Sequence, residues 1–315
     1  MLRALNVSFV CAGANTIMSK VEVCYKKVQG RDLMIDIHTP DNVKDGKLPV
    51  AFYIHGGSWI IGDRLIFGTP FDKLAQNILD DGVMIVAIQY RLCNKLLKKV
   101  NKILRLLKKK PIKIDETLPD ACYPMPFVDA CDAIKFCVKN ADEYRIDTER
   151  MMVFGASAGA QMALLTALVP EKWEEGSEFK GIDFKFKSIT SVCGPCNLSP
   201  KYKGQNRLSK MTIRNLLGKW ILTFNKKKIR NISPINFVRE GLPPLCIVHS
   251  LDDELVPVSQ AKELAAAWRE KGNIVEETYV SGYNHSFRQL KDKPHSIEYD
   301  DLYGVMSTYI AKHLK

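Results

Sequence analysis

The stretch of this chain best equipped for chemistry is Gly155-Ala156-Ser157-Ala158-Gly159. A serine hydroxyl is a weak nucleophile. It becomes a strong one only when a base takes its proton and donors receive the charge that develops on the substrate. The flanks suit that task. Met151-Met152-Val153-Phe154 reads as a short buried strand, and Ala160 to Leu168 is rich in helix formers. Strand, tight turn and helix is the setting in which G-x-S-x-G forms a nucleophile elbow. The small neighbours let the backbone pass close to a serine held in a strained conformation. The free N–H groups at the start of the helix, that of Ala158 first, point where an oxyanion would form.

The base must come from another loop on the same side of a parallel sheet, past the carboxyl ends of the strands. His285, in Gly282-Tyr283-Asn284-His285-Ser286-Phe287, follows a strand that ends at Val280 and fits that position. The other histidines fit less well: His38 falls in a hairpin, His55 in a glycine turn and His249 inside a strand, while His295 and His313 come late. The acid that orients the base is sought in Leu251-Asp252-Asp253-Glu254, after the preceding strand. Asp253 is preferred over Asp252, which is expected to cap the turn or face water. A second group of oxyanion donors is expected at His55-Gly56-Gly57, where glycines leave the backbone N–H groups unobstructed.

These loops need strands to hold them. Residues 21–28 and 33–38 read as a hairpin, and Leu48 to Ile54 and Val83 to Ile88 as strands covered on both faces. Further strands are expected at 187–193, 245–250 and 276–280, with helices at 71–79, 128–140, 258–271 and 300–314 and a loop at 120–127. From residue 48 onward strands and helices alternate, which predicts a mostly parallel sheet with helices on both faces.

The composition is that of a soluble globular protein, with 46% hydrophobic and 26% charged residues in 315. No apolar run approaches the roughly 18–20 residues of a spanning helix. The first 14 residues weakly resemble a signal peptide ending in Ala12-Gly13-Ala14, but Asn6 and Ser8 break the apolar core, so a cytoplasmic setting is the preferred expectation. The nine cysteines are scattered and often sit in apolar patterns, which suits buried thiols. Cys193-Gly194-Pro195-Cys196 has redox spacing, but Asn197-Leu198-Ser199-Pro200 does not continue it as a helix, so a strand-end turn is expected.

The net charge of +11 is uneven. Residues 95–114 hold nine Lys or Arg and residues 201–230 hold ten, with no acid in either, so the remainder is net acidic. In the first segment Leu96, Leu97, Val100, Ile103, Leu104 and Leu107 recur between lysines at helical spacing. A solvated helix laid by its apolar stripe on the body is preferred, with peripheral contact to anionic membrane as the alternative. The second segment predicts helix around Ile213, Leu216, Leu217, Trp220 and Ile221. Nucleic acid is not expected as a partner, because aromatics do not interleave the lysines.

Taken together, the motifs resemble those of the α/β-hydrolases of the esterase and lipase superfamily, near its hormone-sensitive-lipase-like and carbohydrate-esterase-like groups. The matching residues are His55-Gly56-Gly57-Ser58-Trp59, Tyr90-Arg91, Gly155 to Gly159, Asp253-Glu254-Leu255-Val256-Pro257 and His285-Ser286-Phe287, in the superfamily's order, Ser then acid then His. The resemblance implies an α/β-hydrolase fold: one domain over 1–315, with a mostly parallel eight-stranded sheet and a small helical cap at about 197–236. The basic amphipathic insert, at about 95–118, is not part of the common core. The implied chemistry is cofactor-free and metal-free acyl transfer from small or medium acyl esters, acylated carbohydrate among them. Ser157, His285 and Asp253 would act as the triad, and Gly56, Gly57 and Ala158 would form the oxyanion hole. Two positions depart from the lipase-like pattern: Ser58 stands where a third glycine is common, and Ala156 where an acid is common. Both lean toward the broader esterase group. Alternatives are an arylformamidase-like amide hydrolase, and a binding protein of the same fold with a basic face.

Overall fold

The computed structural model describes residues 5–9, 18–41, 43, 45–111, 118–218 and 226–314. Ala12 to Ala14, Trp220 and Ile221, all named above, lie outside these residues.

The eight expected strands are present as β2 (Met18–Val28), β3 (Arg31–Pro40), β4 (Leu48–Ile54), β5 (Met84–Ile88), β6 (Ile146–Ala156), β7 (Ser188–Val192), β8 (Leu245–Ser250) and β9 (Val275–Val280). A ninth, β1 (Leu5–Phe9), was not anticipated. It pairs antiparallel along the edge of β2, Leu5 opposite Glu22 and Phe9 opposite Met18. The sheet order is β1-β2-β3-β5-β4-β6-β7-β8-β9. β3 meets β5 antiparallel, and from β5 through β4 to β9 every pairing is parallel. The fold is that of an α/β-hydrolase.

The period of two along each strand sorts the core. In β4, Val50, Phe52 and Ile54 enter one apolar cluster, while Ala51 and Tyr53 enter the other. All seven residues of β4 are buried, which accounts for its near-continuous apolar sequence. The first cluster is covered by α3 (Met125–Lys139), α4 (Ala158–Leu168) and α7 (Val258–Glu270), through residues such as Phe127, Leu164 and Trp268. The second is covered by α1 (Asp72–Asp80) and α8 (Tyr299–Leu314), through Ile78, Leu302 and Met306. Burying each such side chain contributes about 1.5–3 kcal/mol, so the sheet is clamped from both sides.

One boundary moves. Residues 120–127 are not loop throughout, because α3 starts at Met125 with a proline in its first turn, where a missing N–H costs nothing. The basic insert forms α2 (Lys95–Leu106). The cap segment forms α5 (Arg207–Leu216), which packs against α2, and a short α6 (Lys226–Asn231). Asn215 of α5 donates a side-chain hydrogen bond to the Cys93 carbonyl just before α2. No described helix is long and apolar enough to cross a membrane.

Candidate active site

Four loops at the carboxyl ends of β4, β6, β8 and β9 bring the residues singled out in the sequence to one place. Ser157 sits between β6 and α4 at φ 54° and ψ −121°, a backbone conformation few non-glycine residues adopt. The turn fits only because backbone passes on both sides. A Cβ on Gly159 would lie 2.0 Å from the Ile54 carbonyl oxygen, so a side chain there would drive α4 off β4.

His285 lies in the loop after β9. Its Nε2 is 2.8 Å from Ser157 Oγ, and its Nδ1 is 2.7 Å from Asp253 Oδ2. That arrangement makes Nδ1 the donor to the carboxylate and leaves Nε2 to accept the serine proton. The loop is braced. The His285 backbone N–H donates to Glu254 at 3.0 Å, and Asn284 Oδ1 accepts from the N–H groups of Ser286 and Arg288.

The adjacent acids are separated by their partners. The Asp253 side chain is fully buried, and its Oδ1 accepts from the backbone N–H groups of Leu255 and Val256, each at 2.8 Å. Asp252 points elsewhere: it accepts from Gly282 N–H at 2.7 Å and pairs with Lys293. It does not cap the following turn or simply face water, as expected, but braces one loop against another. Burial alone would raise the Asp253 pKa. Hydrogen bonds from His249 and His285, the His285 charge and the Val256 N–H outweigh it and hold the carboxyl well below the usual range.

The sequence reading missed His249. It lies inside β8, fully buried, with Nε2 2.9 Å from the Val256 carbonyl and 3.2 Å from Asp253 Oδ2. Both neighbours are acceptors, so Nε2 carries the proton and His249 is a second donor to the same carboxylate oxygen as His285. The signal available in advance was its spacing, four residues before Asp253 across the end of a strand. Cys193 completes the surroundings. Cys193, His249 and Asp253 each place one ligand atom within 4.8 Å of the others, a spacing a metal could use. The arrangement suits a hydrogen-bond shell better. The acid's oxygens are taken by four donors, and burial and the nearby Asp253 charge push the Cys193 thiol well up, keeping it protonated. Cys196, its C-x-x-C partner, is also buried, and its thiol donates to the Gln260 carbonyl at 3.0 Å.

The glycine turn after β4 faces Ser157. Gly57 has φ 110°, and a Cβ there would meet the Ile61 carbonyl oxygen at 1.9 Å, so only glycine fits. His55 anchors the turn. Its ring stacks on Tyr90 at 4.2 Å, its Nδ1 donates to the Gly56 carbonyl at 2.8 Å, and its own carbonyl accepts from the Tyr90 hydroxyl at 2.9 Å. Burial lowers the His55 pKa to about 4, so the ring is neutral near pH 7. Ala158, the first residue of α4, has an N–H that no intrahelical carbonyl can reach.

Two clefts meet at Ser157 and His285. One, about 50 Å³, runs beneath α5 and is lined by Leu198, Leu208, Thr212 and Ile213. The other, about 320 Å³, runs past Gly57 toward Pro70, Phe71 and Phe287. Among the described residues, the cap segment thus lines the first cleft beside Ser157 and not the second.

The BD-FAE family profile matches residues 35–100 and 114–268, leaving out residues 101–113, which begin inside α2. Among curated proteins, the chain is similar to a probable carboxylic ester hydrolase, LipM, of Mycobacterium tuberculosis. Identity is 24% over 74% of this chain and 48% of that protein. It is similar to a probable isoprenylcysteine alpha-carbonyl methylesterase of Arabidopsis thaliana at 24% identity, over 82% of this chain and 49% of that one. The chain therefore spans about half the length of the curated relatives it matches. Among solved structures, a thermophilic esterase of Thermogutta terrifontis superposes with a TM-score of 0.70 at 21% identity, covering 92% of this chain and 91% of that one. A truncated carbohydrate esterase from gut microbiota superposes with a TM-score of 0.69 at 17% identity, over 93% and 94% of the two chains.

Proposed function

The chain belongs to the BD-FAE family, and on that premise we propose that it is a serine carboxylesterase cleaving small or medium acyl esters. The observation that carries this reading is the hydrogen-bonded line from Ser157 Oγ through His285 to the buried Asp253, ending where two clefts meet. The names of the curated relatives and structural neighbours support ester hydrolysis as the reaction class.

In this mechanism Ser157 Oγ attacks the ester carbonyl as its proton passes to His285 Nε2. The carbonyl oxygen becomes an oxyanion that accepts from the N–H groups of Ala158, Gly56 and Gly57. Asp253 keeps its charge and stabilises the imidazolium. The imidazolium then protonates the departing alkoxide, the C–O bond breaks and an acyl-serine remains. Water enters, His285 takes its proton, and the reverse sequence frees the carboxylic acid and restores Ser157. Two clefts of unequal size suit the two sides of an ester bond. The 50 Å³ cleft argues for a short group on its side. Acylated carbohydrate is a substrate class the larger cleft can test, since one structural neighbour is titled a carbohydrate esterase.

The test is turnover of p-nitrophenyl acetate, butyrate and longer esters, with labelling by a fluorophosphonate. Ser157→Ala is expected to abolish labelling and to lower kcat by on the order of 10⁴–10⁶-fold. Wild-type protein that neither hydrolyses any ester nor takes the label would overturn the proposal. Turnover of an N-formylarylamine well ahead of every ester would move it to amide hydrolysis.

A further inference from the structure

The sequence predicts a basic amphipathic helix at 95–107, and the structure divides its apolar residues between two directions. At about 100° per residue, Leu97, Val100, Asn101 and Leu104 fall on one side of α2, while Ile103, Leu106 and Leu107 fall on another, about 120° away. Leu97 and Asn101 are buried against the body. Ile103, Leu106 and Leu107 are 49%, 77% and 61% exposed. The preferred sequence reading, a helix lying by its stripe on the body, therefore accounts for only one of the two apolar faces.

The outward face has a definite character. Lys99 lies within the apolar stripe, Lys102 and Arg105 flank it, and Lys108, Lys109 and Lys110 extend it, all of them exposed. Among the described residues, the ion pair formed by α2 is Lys98 with Asp120, at the inner end of the helix. The neighbouring α5 adds exposed apolar residues, Leu208 at 50% and Met211 at 42%, beside Arg207 and Lys210. Leu208 also lines the cleft that holds Ser157. An apolar strip set in lysines and free of acids complements a surface that is anionic outside and apolar beneath. That is the make-up of a bilayer rich in acidic lipid.

We propose that the outward face of α2, with Leu208 and Met211 of α5, docks this protein on an anionic lipid bilayer and sets the Ser157 cleft at the membrane surface. The docking stands without the esterase reading. Its consequence, that the ester is drawn from an amphiphile held in the membrane, rests on that reading. Ile103, Leu106 and Leu107 enter the headgroup region, and the lysine stems lie along it with their charges on lipid phosphates.

The experiment is co-sedimentation of the full chain with vesicles of phosphatidylcholine alone, or mixed with phosphatidylglycerol, at low and high salt. Binding is expected only to the mixed vesicles, and it should weaken as salt rises. Leu106→Ser with Leu107→Ser, and separately Lys99→Glu with Lys102→Glu, should each weaken binding by at least about tenfold. Both pairs should leave thermal unfolding and turnover of a water-soluble ester unchanged, while turnover of a vesicle-embedded ester falls with binding. Ser157→Ala should bind vesicles like the parent. If the parent chain binds vesicles but turns over no ester, the esterase reading fails while the docking survives. No binding to anionic vesicles at low salt would overturn the proposal, as would binding that ignores both variants. So would self-association of the chain that Leu106→Ser with Leu107→Ser dissolves, because the occupant would then be a second copy.

Discussion

The loops around Ser157 and the helices α2 and α5 lie side by side but are built on opposite principles. In the first region each group is held from more than one direction: Asp253 by two backbone N–H groups and two imidazoles, His285 by its ring contacts and the Glu254 bond, His55 by Tyr90 and Gly56. In the second, one edge of each helix packs on the body while large apolar and cationic side chains stand in solvent. The first region is specified atom by atom, because proton transfer tolerates little displacement. The second is specified by composition, because a charged apolar surface works with its lysines in many arrangements. The difference teaches that positioning and presenting are separate tasks here, and substitutions should divide accordingly.

The largest effect that could break this division is expected at the acid. Asp253→Asn keeps the shape but loses the charge and favours the wrong imidazole tautomer, so kcat should fall about 10⁴-fold. Steady-state kinetics on p-nitrophenyl acetate measures it. Vesicle binding should be unchanged, and a parallel loss of binding would show that the two regions are one unit. Next in size is Gly57→Ala, whose Cβ would meet the Ile61 carbonyl. Displacing this turn should cost on the order of 10²–10³ in kcat, with KM nearly constant. A drop of less than tenfold would remove the glycine turn from the oxyanion site.

The smallest effect concerns stability. His55 titrates at about 4 in the fold, against about 6.5 for an unfolded histidine. Below pH 6.5 the unfolded chain takes a proton that the folded one refuses, so stability declines as pH falls from about 6.5 to about 4, by about 3 kcal/mol. Thermal unfolding across that range should show the decline in wild type and a shallower slope in His55→Gln. Equal slopes would mean that the buried ring does not govern the glycine turn.

Much of this was legible in the sequence, for identifiable reasons. β4 and β6 announce themselves because a strand covered on both faces has no polar side to show. Ser157 and His285 could be found because the motif and the strand ends fix where such groups must lie. Choosing Asp253 over Asp252 needed coordinates to support it. Successive side chains in extended backbone point opposite ways, and only the positions of the Leu255 and Val256 N–H groups show which acid turns inward. His249 was missed because a histidine inside an apolar strand looks like any core residue until its partner is seen. β1 was missed because five residues of alternating pattern have no meaning without the β2 edge they pair with. The outward stripe of α2 was missed because helical spacing alone cannot tell which of two apolar faces meets the body.

The two clefts carry a consequence for anyone wishing to re-engineer this protein. Of the described residues that line them, only Ser58, Ser157, Leu255 and His285 belong to both. A library at Leu208, Thr212 and Ile213 would remodel one binding arm, and a library at Pro70 and Phe71 the other, without either touching the other's walls. Winners from the two selections could be combined in one gene with near-additive effects on selectivity, since substitutions that share no partners seldom interact.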